Sequence, residues 1–160
     1  MLIALLACIA ISTGSLAWGY RNAGNETISA WIILFGVCWL LAIWRKWRWV
    51  PSLAVLAALL LAAFGIWFEL GNGWMFNGVI FALLAWNLSE FERTLKLLPA
   101  REDIPGRTRR HVLRISLLAL MGFVIEALFL LARGEFSPAW GIFALGVTFL
   151  GSFQFFFWRR

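Results

Sequence analysis

Six apolar segments follow one another along this chain, each close to the length that a helix needs to cross a membrane. A hydrocarbon core about 30 Å thick requires roughly 20 apolar residues in a helix. Short polar stretches separate the segments. The sequence therefore predicts an all-α fold, a polytopic transmembrane helical bundle with spans at about 2–20, 28–44, 51–70, 74–89, 111–132 and 138–158.

Composition and the lengths of the polar stretches predict a single integral membrane domain over residues 1–160. Only 14% of the residues are charged, whereas soluble domains have about a quarter. The longest polar interval, at 89–111, is too short to bury a core, since chains below roughly 40 residues usually need a disulfide, a metal or a partner. The first segment lacks the basic n-region of a signal peptide, so we expect it to be a span.

Basic residues predict the orientation, because Lys and Arg in short loops favour the cytoplasmic side. In a six-span arrangement, only Arg21 and Arg133 of the 14 basic residues fall on the outer side. Six spans with both termini cytoplasmic fit this segregation, whereas five spans would mix the charges. We therefore expect an integral membrane protein, in a cytoplasmic membrane of the bacterial type.

Tryptophans prefer the headgroup level at both membrane interfaces, and their positions predict the same six spans. Of the 11 tryptophans, only Trp39 falls in the middle of a span. The segment "ELGNG" at 69–73 then becomes the outer turn between the third and fourth spans, with Gly71 and Gly73 supplying backbone freedom. The predicted outer ends carry Trp18, Trp31, Trp67, Trp74 and Trp140, and the inner ends carry Trp44, Trp47, Trp49, Trp86 and Trp158.

The interval after the fourth span, about 89–110, is predicted to be a cytoplasmic amphipathic loop. Ser89 and Glu92 have the spacing of a capping box, which predicts that a separate interfacial helix begins there. Thr108 is predicted to cap the fifth span.

The net charge of +6 does not predict a nucleic-acid partner, because the basic residues lie at predicted membrane exits rather than on one folded face. Each basic residue near an anionic bilayer surface contributes about 1 kcal/mol of attraction. The predicted partners are the lipid bilayer and its anionic headgroups, contacted by Arg107, Arg109, Arg110 and Arg114.

Ala54, Ala58 and Ala62 form a stripe of small residues along the third span. Such a stripe lets two helix backbones approach closely. Two interpretations remain open: the stripe packs the monomer, or it forms a contact with a protein partner or a second copy. The same alternatives apply to the looser series Gly141, Gly146 and Gly151 in the sixth span.

Signatures of hydrolytic, phosphate-binding and redox chemistry are missing, so we predict no cofactor and no metal. Cys8 and Cys38 lie in apolar segments without CxxC spacing, and His111 is the only histidine. These patterns do not indicate a zinc site or a redox pair.

Glu126 is the carboxylate placed deepest in a predicted span, where a charged group costs about 2.5 to 3.5 kcal/mol at the membrane centre and less towards the interface. One interpretation makes it a proton or cation site, and the other makes it an interhelical hydrogen-bond clamp. The candidate intramembrane polar site comprises Glu126, Glu69 and Asn77, and the candidate clamp partners are Thr148, Arg133, Ser12, Thr13 and Ser15.

Three functional hypotheses follow. The favoured one is a non-enzymatic accessory, assembly or scaffolding subunit that acts by helix contacts. The alternative is a small transporter or channel, with Glu126 as its intramembrane proton or cation site. The third is an intramembrane lipid-modifying enzyme that uses Asn87, Glu90, Glu92 and His111.

Overall fold

The computed structural model describes residues 2–45, 47, 49–95 and 104–133, and within these ranges the chain forms five helices and no strand. The prediction of an all-α fold is confirmed. The first three predicted spans match the first three helices to within one turn, and the sixth segment, 138–158, lies outside the described residues. The helices are α1 (Leu2–Asn22), α2 (Glu26–Trp44), α3 (Val50–Trp67), α4 (Asn72–Leu95) and α5 (Ile104–Arg133).

Four helical segments in the described ranges are long and apolar enough to cross a membrane. Many large apolar side chains on these helices are exposed. Leu56 and Leu60 on α3, for example, are more than half exposed. Such an apolar exterior suits lipid rather than water. Helix α4 is long enough but less apolar than these four segments, because its three asparagines lower its mean hydropathy. The four segments are Leu2–Asn22, Glu26–Trp44, Val50–Trp67 and Arg110–Ala132.

The ends of α4 and α5 differ from the predicted cytoplasmic loop. Helix α4 continues without a break to Leu95, so the prediction of a separate helix beginning at Ser89 is wrong. The Ser89 hydroxyl donates to the backbone carbonyl of Trp86 at 2.7 Å, a local bond that a serine inside a helix can form. Helix α5 begins at Ile104, so Thr108 lies inside it and is not its cap. Only 96–103 remains between the two helices, outside the described residues.

The chain divides into two compact units, Met1–Ile104 and Pro105–Arg160. In the first unit α1 packs against α2 and α4, and α4 also packs against α3. Gly78 of α4 faces Leu16 of α1, whereas Gly19, further along α1, faces Met75, which comes earlier in α4. Helices α1 and α4 therefore run antiparallel, and this pair forms the centre of the first unit.

Glycines set the distance between α1 and its neighbours. A Cβ atom added to Gly36 of α2 would lie 2.7 Å from Oγ1 of Thr13, and one added to Gly78 of α4 would lie 2.5 Å from Cγ of Leu16. Small residues allow this close backbone approach, which increases van der Waals contact between helices. The close approach is local, because a Cβ on Gly14 would meet nothing within 4 Å.

The turn between α3 and α4 lies within "ELGNG", but its backbone differs in detail from the prediction. Gly71 has a φ of 78°, as a glycine in a tight turn can adopt, whereas Gly73 lies inside α4. The second left-handed residue is Glu69, with a φ of 56°. The prediction is therefore confirmed for Gly71 and wrong for Gly73, which is helical. Glu69 has a side chain, so its left-handed conformation costs about 1–2 kcal/mol.

Hydrogen bonds at the end of α3 explain the conformation of Glu69. The Leu70 N–H donates to the Gly65 carbonyl at 2.9 Å, and the Glu69 N–H donates to the Ile66 carbonyl at 3.1 Å. This pair of bonds is the Schellman motif, which requires a left-handed residue just after the helix. Helix α1 ends with the same pattern, but there Gly24 occupies the left-handed position.

The alanine stripe on α3 packs inside the first unit. Ala54, Ala58 and Ala62 are each at most 3% exposed. This burial confirms the interpretation that the stripe packs the monomer, so it is not available as an interface between copies.

Tryptophans near the helix ends are mostly exposed, whereas Trp39 in the middle of α2 is 1% exposed. Its ring packs against Phe35 with the centroids 5.9 Å apart. The belt positions stay a prediction, and Trp140 and Trp158 lie outside the described residues. The exposed tryptophans are Trp18, Trp31, Trp44, Trp47, Trp49, Trp67 and Trp86.

Candidate functional site

Most hydroxyl groups buried in the first unit bond to backbone carbonyls. Ser12 of α1 donates to Gly78 of α4 at 2.8 Å, and Tyr20 of α1 donates to Leu61 of α3 at 2.7 Å. Thr13 donates to the Ile9 carbonyl of its own helix at 2.9 Å. A buried hydroxyl without such a bond costs free energy, so these bonds allow polar side chains to lie between apolar helices.

Two buried side chains on α1 and α4 depart from this pattern. Asn77 is fully buried, and neither its Oδ1 nor its Nδ2 atom has a hydrogen-bond partner in the described part of the chain. Ser15 is 4% exposed, and its Oγ atom likewise has no partner there. The indole Nε1 of Trp39 on α2 also has no hydrogen-bond partner among the described residues. Unsatisfied buried polar groups are few in folded proteins, and each calls for an explanation such as a bound water or ion.

The helix register places Ser15 and Asn77 at the same level. Gly78 contacts both Ser12 and Leu16, so its level on α1 lies between these two residues. Because α1 and α4 are antiparallel, the step from Gly78 to Asn77, towards the start of α4, corresponds to a step along α1 towards its end, to the level of Ser15. The two side chains therefore occupy matching positions along the helix pair.

Ser15 and Asn77 also lie on the same side of the α1–α4 pair. Thr13 faces α2, and Tyr20, two turns further on the same face, reaches α3. At about 100° per residue, Ser15 lies about 160° around α1 from Thr13. Met75 faces α3 through Gly65, and Asn77 lies about 160° around α4 from Met75. Both polar side chains thus lie opposite α2 and α3.

Glu69 does not join this pair. It lies in the turn after α3 and is exposed, whereas Asn77 is buried inside α4. The predicted polar site is therefore divided within the first unit, with Glu69 at its surface and Asn77 in its interior.

Glu126 belongs to α5 of the second unit and is 3% exposed. Phe123 and Leu130, three and four residues away, are also buried, so these residues share one face of α5. Val124 and Ile125 lie on a different face and are more than half exposed. The carboxylate is thus placed on the buried face of a helix that is apolar enough to cross a membrane.

Charged residues near the start of α5 and the end of α4 lie outside these buried positions. Arg110 and Arg114 are exposed, and Arg110 donates through Nε to the Gly106 carbonyl at 3.4 Å. On α4, Glu90 forms an exposed ion pair with Arg93 at 3.5 Å. The predicted basic cluster lies within α5 and comprises Arg107, Arg109, Arg110 and Arg114. The residues of the predicted lipid-modifying site are divided between the two units: Asn87, Glu90 and Glu92 belong to the first, and His111 belongs to the second.

The described residues contain no group of three or more His, Cys, Asp or Glu side chains positioned to hold a metal ion. Cys8 is half-buried on α1, Cys38 is exposed on α2, and neither forms a disulfide.

Sequence reasoning identified Asn77 but missed its relation to Ser15, which it considered only as a partner for Glu126. The signal was present in "ISTGS", where three hydroxyl residues interrupt the apolar first segment. A helical wheel separates Ser15 from Thr13, but only the packing of α1 on Gly78 shows that Ser15 is level with Asn77.

The described residues define the class of protein: they are all-helical, and four of their helical segments are long and apolar enough to cross a membrane, as in a membrane protein. No family model, no curated protein and no solved structure matches the chain.

Proposed function

We propose that the chain is a six-span membrane protein that acts as a non-enzymatic accessory, assembly or scaffolding subunit through helix contacts. One observation carries this proposal: the buried hydroxyls of Ser12 and Tyr20 on α1 donate to backbone carbonyls of the neighbouring helices α4 and α3. Polar groups that fasten helices to one another indicate an interior built for packing. Because the buried polar groups serve packing inside the protein, the outer surfaces of the spans would contact its partners.

The packing of α4 supports its assignment as a span despite its lower hydropathy. Its 24 residues extend about 36 Å, which exceeds a hydrocarbon core of about 30 Å. It lies along α1, which is itself long and apolar enough to cross. Asn72 and Asn77 are buried, so these amides avoid lipid.

The proposed orientation places both termini and the basic intervals in the cytoplasm of a bacterial-type cell. Anionic lipid headgroups are the proposed partners of the basic start of α5, where Arg110 and Arg114 are exposed.

Reporter fusions test this topology. We expect a reporter after Arg160 and another inserted near Asp103 to be cytoplasmic, because basic residues favour that side. A reporter inserted at 71–73 should be outside, since this segment joins two antiparallel helices at their outer ends. Activity of an alkaline phosphatase or a fluorescent protein measures each location, and a cytoplasmic signal at 71–73 would contradict six spans.

Photo-crosslinking in native membranes tests the contact function. The photoreactive residue p-benzoylphenylalanine is placed at exposed positions on α2 (Leu34 or Leu41) and α3 (Leu56 or Leu60), with buried Ile32 as the matched control. We expect a discrete protein adduct from one helix face and none from Ile32, because only an outward side chain reaches a partner helix. Gel mobility and mass spectrometry identify each adduct.

The crosslinked position must also matter for binding. Truncating the same outward side chain to alanine should reduce copurification of the partner while leaving the melting temperature of the purified protein unchanged. Adducts with lipid alone at every exposed position, at native expression level, would rule out the contact function.

A small transporter or channel is the second candidate, and the burial of Glu126 favours it. Ionisable side chains inside membrane helices commonly mark ion or proton pathways. At 3% exposure, Glu126 is held away from the outer surface of α5.

A further inference from the structure

We propose that Ser15 and Asn77 bind one small neutral molecule that both donates and accepts hydrogen bonds. This molecule is water or a solute with an amide or hydroxyl group. The site belongs to the first unit and is separate from Glu126.

Burial and register bring the two side chains to one place. Both lie at the same level of the antiparallel α1–α4 pair and on the side opposite α2 and α3, as the contacts of Gly78, Thr13 and Met75 establish. Both are buried, and their three polar atoms have no hydrogen-bond partner among the residues the structure describes.

The chemistry of these atoms selects a neutral ligand. The Asn77 amide offers two N–H donors on Nδ2 and an acceptor at Oδ1, and the Ser15 hydroxyl both donates and accepts. A cation would bind the oxygens and leave Nδ2 unsatisfied, whereas an anion would leave Oδ1 unsatisfied. Neither side chain is charged, and burying an ion without an opposite charge is costly. A molecule with both a donor and an acceptor satisfies all three atoms.

The number of polar atoms favours a small ligand. A buried water typically makes about three hydrogen bonds, which matches Ser15 Oγ, Asn77 Oδ1 and Asn77 Nδ2. A ligand of the size of water, or of a compact solute such as acetamide, is therefore sufficient to satisfy the three atoms.

Solution NMR of the full chain in lipid nanodiscs tests the site directly. The protein is labelled with ¹⁵N-asparagine, and the Asn77 side-chain amide signal is assigned by its loss in Asn77→Leu. We expect a cross-peak between this amide and a long-lived water, and we expect Ser15→Ala to weaken it. Thr13→Val is the matched control, because the Thr13 hydroxyl already bonds to Ile9 and its removal should leave the Asn77 signal unchanged.

Titration with acetamide distinguishes the two sources of the ligand. A saturable shift of the Asn77 amide signal, with loss of the water cross-peak, identifies a solute site, whereas an unchanged cross-peak identifies a water site. Either result supports the proposal. Absence of both the cross-peak and the acetamide shift would overturn it, as would a shift caused by sodium but not by choline.

Thermal unfolding gives a second measurement that does not depend on NMR assignment. If the site is occupied, Asn77→Leu should lower the melting temperature or leave it unchanged, because the variant loses satisfied hydrogen bonds. If the amide is buried without any partner, the same variant should raise the melting temperature, since it removes an unpaired polar group. A clear rise would contradict the proposed ligand.

Discussion

Gly78→Ala is expected to lower the melting temperature of the purified protein strongly. The added Cβ would lie 2.5 Å from Cγ and 2.7 Å from Cδ2 of Leu16, and 3.3 Å from the backbone oxygen of Ser12. Leu16 is itself fully buried, so it has little room to move, and the Ser12 oxygen belongs to the helix backbone. Overpacking of this kind typically costs about 1–3 kcal/mol. The α1–α4 contact should therefore weaken.

Gly14→Ala is the matched control, because it makes the same change on α1. A Cβ at Gly14 meets nothing within 4 Å, and alanine is favoured over glycine inside a helix by about 0.5–1 kcal/mol. We expect this variant to be as stable as the original protein or slightly more stable. Thermal unfolding in mild detergent, followed by circular dichroism, compares the two variants.

A second substitution tests the cause of the instability. Leu16→Ala in the Gly78→Ala background removes the colliding side chain, so the double variant should be more stable than additivity of the two single changes predicts. Equal melting temperatures for Gly78→Ala and Gly14→Ala would show that α1 and α4 do not pack as described.

The positions of the first three helices could be predicted because their sequences are predominantly apolar and end at clear polar signals. Their bounds depend on local composition, which a sequence shows directly. The extent of α4 could not be predicted in the same way. Ser89 and Glu92 have capping-box spacing, but the Ser89 hydroxyl bonds to the Trp86 carbonyl and the helix continues to Leu95. A capping motif competes with helix continuation, and here continuation is favoured.

The turn after α3 shows a similar limit. The presence of a turn at "ELGNG" followed from its glycines, but the residue that adopts the left-handed conformation did not. The Schellman bonds fix that position by its distance from the end of α3, and the chain places Glu69 there rather than a glycine.

The candidate polar sites were also only partly predictable from sequence. Asn77 and Glu126 could be identified, because a polar side chain within an apolar segment is apparent from the sequence alone. The pairing of Asn77 with Ser15 could not, since it depends on the level at which α1 meets Gly78. That level is a property of tertiary packing, set by the close approach of two helices far apart in the chain.

Glu126→Gln and Glu126→Ala are expected to differ sharply in stability. Glutamine keeps the length of the side chain and an oxygen acceptor, so it should preserve the melting temperature if Glu126 acts as a hydrogen-bond clamp. Alanine removes the polar group from a position that is 3% exposed and leaves any buried partner unsatisfied, at a cost of about 1–3 kcal/mol. Ile125→Ala is the matched control, because this adjacent side chain is exposed and its truncation should change stability little.

A flux assay separates the clamp from an ion-coupling carboxylate. Both glutamine and glutamate fit the position, but glutamine cannot titrate. In proteoliposomes containing a pH-sensitive dye, we therefore expect the original protein and Glu126→Gln to show the same low proton leak if the residue is a clamp. A pH-dependent flux that Glu126→Gln abolishes, with an unchanged melting temperature, would instead establish the transporter, because that variant removes the titrating proton and little else.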